Sequence, residues 1–252
     1  MIETSEVRVV ARGDVGERAK RHARERVAHV THVLDDVILF ARVKLTLTND
    51  PANPRPAIAQ VMLDVNGQPV RAVADGPSVL EATDLMCVRL RRQLEHLTDR
   101  RLARRTRGPV SPGPHEWRHG DLPTTHPRYF PRPPEDRQVV RHKRYALQPI
   151  TVAEAAEQMA LLDYDFHLFH DVDTDRDAVI ERRPDGSVGV RLAADPPIGS
   201  ATEPVSTLTI DEAARLLDLS GAHWVFIRDA ATARGAVVYR RYDGHYGVVT
   251  AE

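Results

Sequence analysis

Ala178-Val-Ile-Glu-Arg-Arg-Pro-Asp-Gly-Ser-Val-Gly-Val190 and Ala236-Val-Val-Tyr-Arg-Arg-Tyr-Asp-Gly-His-Tyr-Gly-Val248 read as the same strand, turn and strand written twice. Asp-Gly supplies the positive φ angles of a tight hairpin in both, between runs rich in β-branched and aromatic residues. Working outward, residues 151–190 align without a gap on 209–248, an offset of 58, with 16 of 40 positions identical. That is an internal duplication. Each copy opens on a capping box, Thr151-x-x-Glu154 and Thr209-x-x-Glu212, ahead of a short helix through Ala155-Ala156 or Ala213-Ala214. An apolar strand follows, Phe166 to Phe169 and Trp224 to Ile227. A module of about 50 residues has too little interior to be very stable alone, so it should bury a face against another copy. The aromatic residues expected at that face are Phe166, Phe169, Trp224, Phe226, Tyr239 and Tyr246.

The front of the chain has different patterning. Residues 7–11 alternate as a strand, and Gly13-Asp14 makes a turn that offers Asp14 as a helix N-cap. Val15, Ala19, Ala23, Val27, Val30 and Leu34 then recur at helical spacing. Residues 38–48 read as a strand with Leu39, Ala41, Val43, Leu45 and Leu47 on one face and Arg42, Lys44, Thr46 and Thr48 on the other. Strands over about 57–65 and 69–74 flank Asn66-Gly67, a type I′ hairpin signal. Ser78 caps a long helix whose buried stripe is Val79, Thr83, Met86, Leu90, Leu94 and Leu97. The chain is therefore predicted to be α+β. A β-α-β-β-β-α domain, with two helices on one face of a four-stranded sheet, precedes two tandem small α+β modules. The expected boundaries are 1–107 for the basic front domain, 108–140 for a linker, 141–195 for the first module copy and 205–252 for the second. The linker rests on eight prolines between Gly108 and Arg144. Trp117, Tyr129 and Phe130 within it are expected to dock locally.

The formal net charge of -1 conceals an asymmetry. Residues 1–107 hold 19 Lys and Arg against 14 Asp and Glu, +5; residues 108–144 hold 7 against 4, +3; residues 145–252 hold 9 against 18, −9. The front should meet a polyanion and the back should not. Lys20, Arg21, Arg24 and Arg26 lie on the first helix, and Arg89, Arg91 and Arg92 on the last. Arg100, Arg101, Arg104, Arg105 and Arg107 put five arginines into eight residues, which repel one another unless phosphates neutralise them. With few aromatics to stack on bases, phosphate and sugar contacts to a folded RNA are expected.

Enzyme chemistry is not expected: the sequence has no phosphate-cradling glycine loop, no Gly-x-Ser-x-Gly and no activated cysteine. Cys87, the single cysteine, sits among Leu85, Met86 and Leu90 and reads as a packed thiol. Asp171-Val-Asp-Thr-Asp-Arg-Asp177 imitates a calcium loop but puts Arg176 at the sixth position and Arg182 at the twelfth. His29 with His32, His115 with His119 and His167 with His170 each lack a third ligand. No metal or cofactor is expected. No apolar run approaches the length of a membrane span, and the N-terminus does not resemble a signal peptide, so a cytoplasmic location is expected.

Val140-Arg-His-Lys-Arg-Tyr-Ala-Leu-Gln-Pro-Ile-Thr-Val-Ala-Glu-Ala-Ala156 and the run Tyr239 to Gly247 resemble the C-terminal domain of long-form ribosome hibernation promoting factors. The front half, with Val65-Asn-Gly67 and Arg89-Leu-Arg-Arg-Gln-Leu94, resembles their N-terminal domain, whose fold is like that of double-stranded-RNA-binding domains. The duplicated C-terminal module is similar to the dormancy-associated factors of actinobacteria. The resemblance implies a non-enzymatic protein that lodges in the decoding region of the 30S subunit of the 70S ribosome, on 16S rRNA, across the mRNA path and tRNA sites. It places the family's basic contacts on Lys20, Arg24, Arg26, Arg89 and Arg92. Glu95 and His96 stand where the family commonly keeps a lysine, which leaves the Arg100 to Arg107 cluster to take over. Family members pair ribosomes through two C-terminal domains. One chain here holds both partners, so intrachain pairing that leaves ribosomes single is expected, with a ribosomal protein as the modules' neighbour. The alternatives are a ribosome-pairing factor and an RNA chaperone or transcription modulator with acidic protein-binding modules.

Overall fold

The computed structural model describes residues 6–32, 37–49, 53–107, 132–183, 187–193, 205–241 and 243–252; the side chains from Arg100 to Arg107 are not described. The chain divides into two units. One holds residues 1–127 with Ala160–Tyr164, the other residues 128–159 with 165–252.

In the front unit β1 (Arg8–Arg12), α1 (Glu17–Thr31), β2 (Ile38–Leu47), β3 (Ala57–Val65), β4 (Gln68–Gly76) and α2 (Val79–Arg107) follow in the predicted order. The sheet runs β1-β2-β3-β4, with β1 parallel to β2 and the other pairs antiparallel. Alternation decides which side is apolar: Ala41, Val43, Leu45, Val61 and Leu63 face inward, and Val27, Met86, Leu90 and Leu97 from the helices cover them. The β3–β4 hairpin turns at Asn66 (φ 56°) and Gly67 (φ 85°), and the Asp64 carboxylate accepts from the Gly67 N–H at 2.7 Å. Ser78 caps α2 by accepting from the Glu81 N–H at 3.2 Å. Cys87 is buried there, and burial pushes its thiol up to about 12.

Two local expectations fail. Asp14 does not cap α1: Gly16 holds the N-cap position, in extended backbone and without a side-chain bond, because the turn at Gly13 is followed by Asp14 and Val15 before the N-cap. Leu39 does not face the core and is 65% exposed, because the β2–β3 register shifts between Ile38 and Phe40 and reverses the alternation there. Leu34 lies outside the described residues.

The second unit, with Ala160–Tyr164 of the first, repeats one pattern. Copy one has β6 (Pro149–Ile150), α3 (Val152–Leu161), β7 (Phe166–Asp171), β8 (Arg176–Arg182) and β9 (Val188–Leu192). Copy two has β10 (Thr207–Leu208), α4 (Ile210–Ser220), β11 (Trp224–Asp229), β12 (Gly235–Arg240) and β13 (Tyr246–Ala251). Both capping boxes form: Thr151 and Thr209 accept from the N–H of Glu154 and Glu212, whose carboxylates accept from the threonine N–H in return.

A strand absent from the sequence reading, β5 (Val139–Tyr145), precedes copy one but pairs in parallel with β13, the last strand of copy two. The sheets are thus β6-β7-β8-β9 and β10-β11-β12-β13-β5. Copy two's sheet carries a strand from the far side of copy one, so the two copies are interlocked. Just ahead of β5, Arg137 donates to Asp218 of α4, which also accepts from Tyr246 and Arg240.

Candidate functional site

The two helices of the front unit are joined across their polar rims by Asp84. It accepts from Arg26 Nε at 2.8 Å and lies 3.1 Å from His22 Nε2. Arg26 is therefore partly committed to helix packing, and Arg89 likewise donates to the Val73 carbonyl at 2.8 Å. Lys20 reaches back to Glu17 at 2.6 Å, and this lysine holds the Glu17 carboxyl below its usual range. Arg21 and Arg92 are exposed, Arg24 is partly so, and Arg91 approaches Glu95 at 3.9 Å. The α2 helix continues unbroken to Arg107, so Arg100, Arg101, Arg104, Arg105 and Arg107 ride on its last turns; their side chains lie outside the described residues.

A second basic patch occupies the face of the sheet away from the helices. Arg8 pairs with Arg42 across β1 and β2, Lys44 lies opposite Val10 one step further along, and Arg12 lies opposite Thr46 one step beyond that. All four are exposed. Like charges directly opposite one another on neighbouring strands weaken a sheet. An arrangement that keeps them outward and adjacent suits a surface that meets phosphate. The sequence showed Arg42 and Lys44 on a polar face; their neighbours depend on register, which a single strand does not reveal.

In the second unit the copies share one apolar cluster of Leu168, Val179, Ala193, Phe226 and Val237, with Leu147, Phe166, Val205, Trp224 and Val249 around it. Leu147 and Val205, Phe166 and Trp224, Leu168 and Phe226, and Val179 and Val237 are equivalent positions at the offset of 58. Each copy thus offers nearly the same patch to the other, as in an isologous contact. The rings of Phe166 and Trp224 lie 4.9 Å apart, those of Phe166 and Tyr239 6.1 Å, and the Arg191 guanidinium sits 4.9 Å over Trp224.

Phe166, Trp224, Phe226 and Tyr239 are thus brought together, whereas Phe169 and Tyr246 are not in this cluster. Phe169 is buried one residue out of phase with Phe166 and Leu168 on β7. Tyr246 packs in copy two's own core with Ala213, Leu217 and Ile227. Strand alternation separates the two sets: residues of one parity meet the other copy, and those of the opposite parity meet the copy's own helix.

The acidic run from Asp171 to Asp177 forms a turn, with Asp171 accepting from the Thr174 hydroxyl at 2.6 Å and Asp175 at φ 53°. Asp229, Thr232 and Ala233 make the same turn in copy two without the extra carboxylates. His167 and His170 do not converge. His167 lies 3.1 Å from Gln158 of α3, and burial pulls its imidazole down to about 4. Trp117, Tyr129, Phe130, His115 and His119 lie outside the described residues.

Because its folded-state value is depressed, His167 favours the fold above the ordinary histidine value near 6.5, and that contribution is lost as pH falls toward 4. His170 acts oppositely. Hydrogen bonds first to Asp175 and then to Asp177 raise its value, so its contribution is complete below about 6.5 and is lost as pH rises through the raised value. His167→Leu removes only the first effect. Between pH 7 and pH 5 the wild-type second unit should lose about 2 kcal/mol more stability than this variant. Urea melts at the two pH values measure the difference, and equal losses would contradict the assignment to His167.

A basic α/β domain followed by an interlocked tandem of one small module is the class of protein that these features define. Residues 7–102 match the family described as Sigma 54 modulation protein / S30EA ribosomal protein. Residues 134–190 and 198–248 each match the family described as Sigma 54 modulation/S30EA ribosomal protein C terminus. The chain belongs to this S30EA family, in the long form that carries both the N-terminal and the C-terminal domain, here with the latter duplicated. It is 32% identical over 257 aligned residues to a Mycobacterium tuberculosis protein named dormancy associated translation inhibitor, covering 93% of this chain and 86% of that one. A Deinococcus radiodurans protein named ribosome hibernation promotion factor is 29% identical over 188 residues, covering 70% of this chain and 92% of that one. Among solved structures, the Thermus thermophilus Protein Y N-terminal domain overlays 36% of this chain and 98% of its own, at 18% identity and a TM-score of 0.32.

Proposed function

We propose that this protein is a ribosome hibernation factor whose front domain occupies the decoding region of the small subunit and blocks the mRNA channel and tRNA sites, in the cytoplasm, during dormancy or stress. The observation that carries the RNA contact is the pair of basic surfaces: the helical arginines on one side, and Arg8, Arg12, Arg42 and Lys44 on the other face of the same sheet. A domain seated in a channel of folded RNA meets phosphate on more than one side, which a protein resting on a flat surface does not. The contacts fall on Lys20, Arg21, Arg24, Arg91, Arg92 and the Arg100 to Arg107 cluster. Arg26 and Arg89 both touch RNA and brace the helices against each other and the sheet. Inhibition is by occupancy and needs no catalytic group.

The shared cluster between module copies supports action on single 70S ribosomes. The patch of Leu168 and Val179 in one copy is already covered by that of Phe226 and Val237 in the other, so this face is not offered to a second chain, and the tether holds the two at high effective concentration. Sucrose-gradient sedimentation of 70S ribosomes with the full chain tests the reading. Co-sedimentation with single ribosomes, displaced by initiator tRNA with mRNA, is the expected result. A paired-ribosome peak that requires the C-terminal half would overturn the single-ribosome mode, and absence from the 30S fraction would overturn the site.

A further inference from the structure

We infer that Asp177 and Gly235, which occupy the same position in the two module copies, form a selectivity lock: it lets copy one pair with copy two and bars either copy from pairing with another of its own kind. The inference deepens the single-ribosome reading above. Its test is made on the free protein, so the two can fail separately.

The duplicated patch is nearly self-complementary, and that is a hazard. With Leu168 matched by Phe226 and Val179 by Val237, the apolar cluster alone would let copy one of one chain pair with copy one of another. Something has to break the symmetry. At the position where the copies meet, copy one carries a carboxylate and copy two carries nothing. Asp177 is 6% exposed and accepts from four donors or ring nitrogens: Arg234 Nε at 2.7 Å, Arg234 Nη2 at 3.0 Å, the Gly235 N–H at 2.8 Å and His170 Nδ1 at 3.1 Å. Three of these bonds come from copy two. A Cβ placed on Gly235 would lie 2.8 Å from the Asp177 Cβ and 3.2 Å from the Phe226 ring. The glycine is required because the aspartate is opposite.

Both like-with-like combinations are defective. Two aspartates would bring two Cβ atoms and two carboxylates together in a buried site, where neither charge is hydrated and each repels the other. Two glycines would leave a buried N–H and an arginine without the acceptor that now satisfies both. Only the unlike pair fills the space and matches the charge. The arginine is not the source of the asymmetry, since Arg176 stands in copy one where Arg234 stands in copy two. The lock is therefore one residue deep, and its orientation should be reversible.

Three variants of the full chain reproduce the combinations within one molecule. Gly235→Asp places aspartate against aspartate, Asp177→Gly places glycine against glycine, and the double variant exchanges the two residues and offers the new carboxylate to Arg176. Thermal unfolding is followed by Trp224 fluorescence in a Trp117→Phe background, so that the signal comes from the contact itself. Each single variant should melt about 5 °C or more below the parent, and the exchange should recover most of that loss although it carries both substitutions. Recovery is the result that a merely packed or merely buried aspartate would not give. An exchange variant that melts at or below the lower of the two singles overturns the lock, as does a Gly235→Asp chain that melts with the parent.

Discussion

Reversing Arg100, Arg101, Arg104 and Arg105 to glutamate is expected to lower affinity for 30S subunits by about a thousandfold or more at moderate salt, while leaving the front domain folded. The substitutions change the formal charge of residues 1–107 from +5 to −3. Arginines near a helix C-terminus have a bland use, favourable interaction with the helix dipole at about 0.3–1 kcal/mol each. One or two would satisfy that use, and five side by side exceed it. Among the described residues the last apolar side chain of α2 in the core is Leu97, so the core formed by Met86, Leu90 and Leu94 is built ahead of the cluster. Glutamine at the same four positions keeps the helix and removes only the charge. It should flatten the dependence of log affinity on log salt by about three to four units, the signature of lost phosphate contacts. Filter binding across a salt series, with circular dichroism to monitor the fold, measures both. Undiminished affinity in the glutamate variant would remove the cluster from the mechanism and leave the burden on Arg8, Arg42, Lys44 and the exposed arginines of α1.

Why the cluster was visible in the sequence, and the open-face patch was not, is a matter of locality. Five arginines on one helix end are neighbours by sequence, as are the Asn66-Gly67 turn, the two capping boxes and the stripe from Val79 to Leu97. Each is fixed within a few residues by backbone geometry. Arg8 and Arg42 become neighbours only through β1–β2 register, and β5 joins β13 across more than a hundred residues. Neither relation leaves a periodic trace. Phe169 and Tyr246 are an intermediate case. Aromatic character alone suggested the pairing face, but counting by twos from Phe166 and from Trp224 already puts Phe169 on the wrong side of its strand. Leu39 failed for the opposite reason: counting by twos assumed an unbroken ladder where the register shifts. The Asp177 and Gly235 pair was legible as a difference between aligned copies, yet nothing in one dimension said that the two positions face each other.

Phe226→Asp is expected to unfold the paired modules while leaving the grip on the ribosome nearly intact. Phe226 is 3% exposed at the centre of the shared cluster, against Leu168, Val179 and Val237. Truncating a buried phenylalanine costs about 3–5 kcal/mol, and a carboxylate without a partner in the same place adds to that. A small unit has little more stability than this to lose. Trp224, two residues before it on β11 and tilted against the Phe166 ring, should shift its emission to the red, and limited proteolysis should open the chain beyond residue 132. The matching change Leu219→Asp, on a side chain 86% exposed on α4, should do neither. Affinity for 30S subunits should fall only a few-fold in the Phe226 variant, because the phosphate contacts belong to a domain with its own sheet, helices and core. Those contacts set the salt dependence, so its slope should not move. A loss of binding as deep as that of the arginine reversal, with the front domain still folded, would make the paired modules part of the anchor and reassign the acidic half from a cap on its own pairing surface to a ribosome-binding surface.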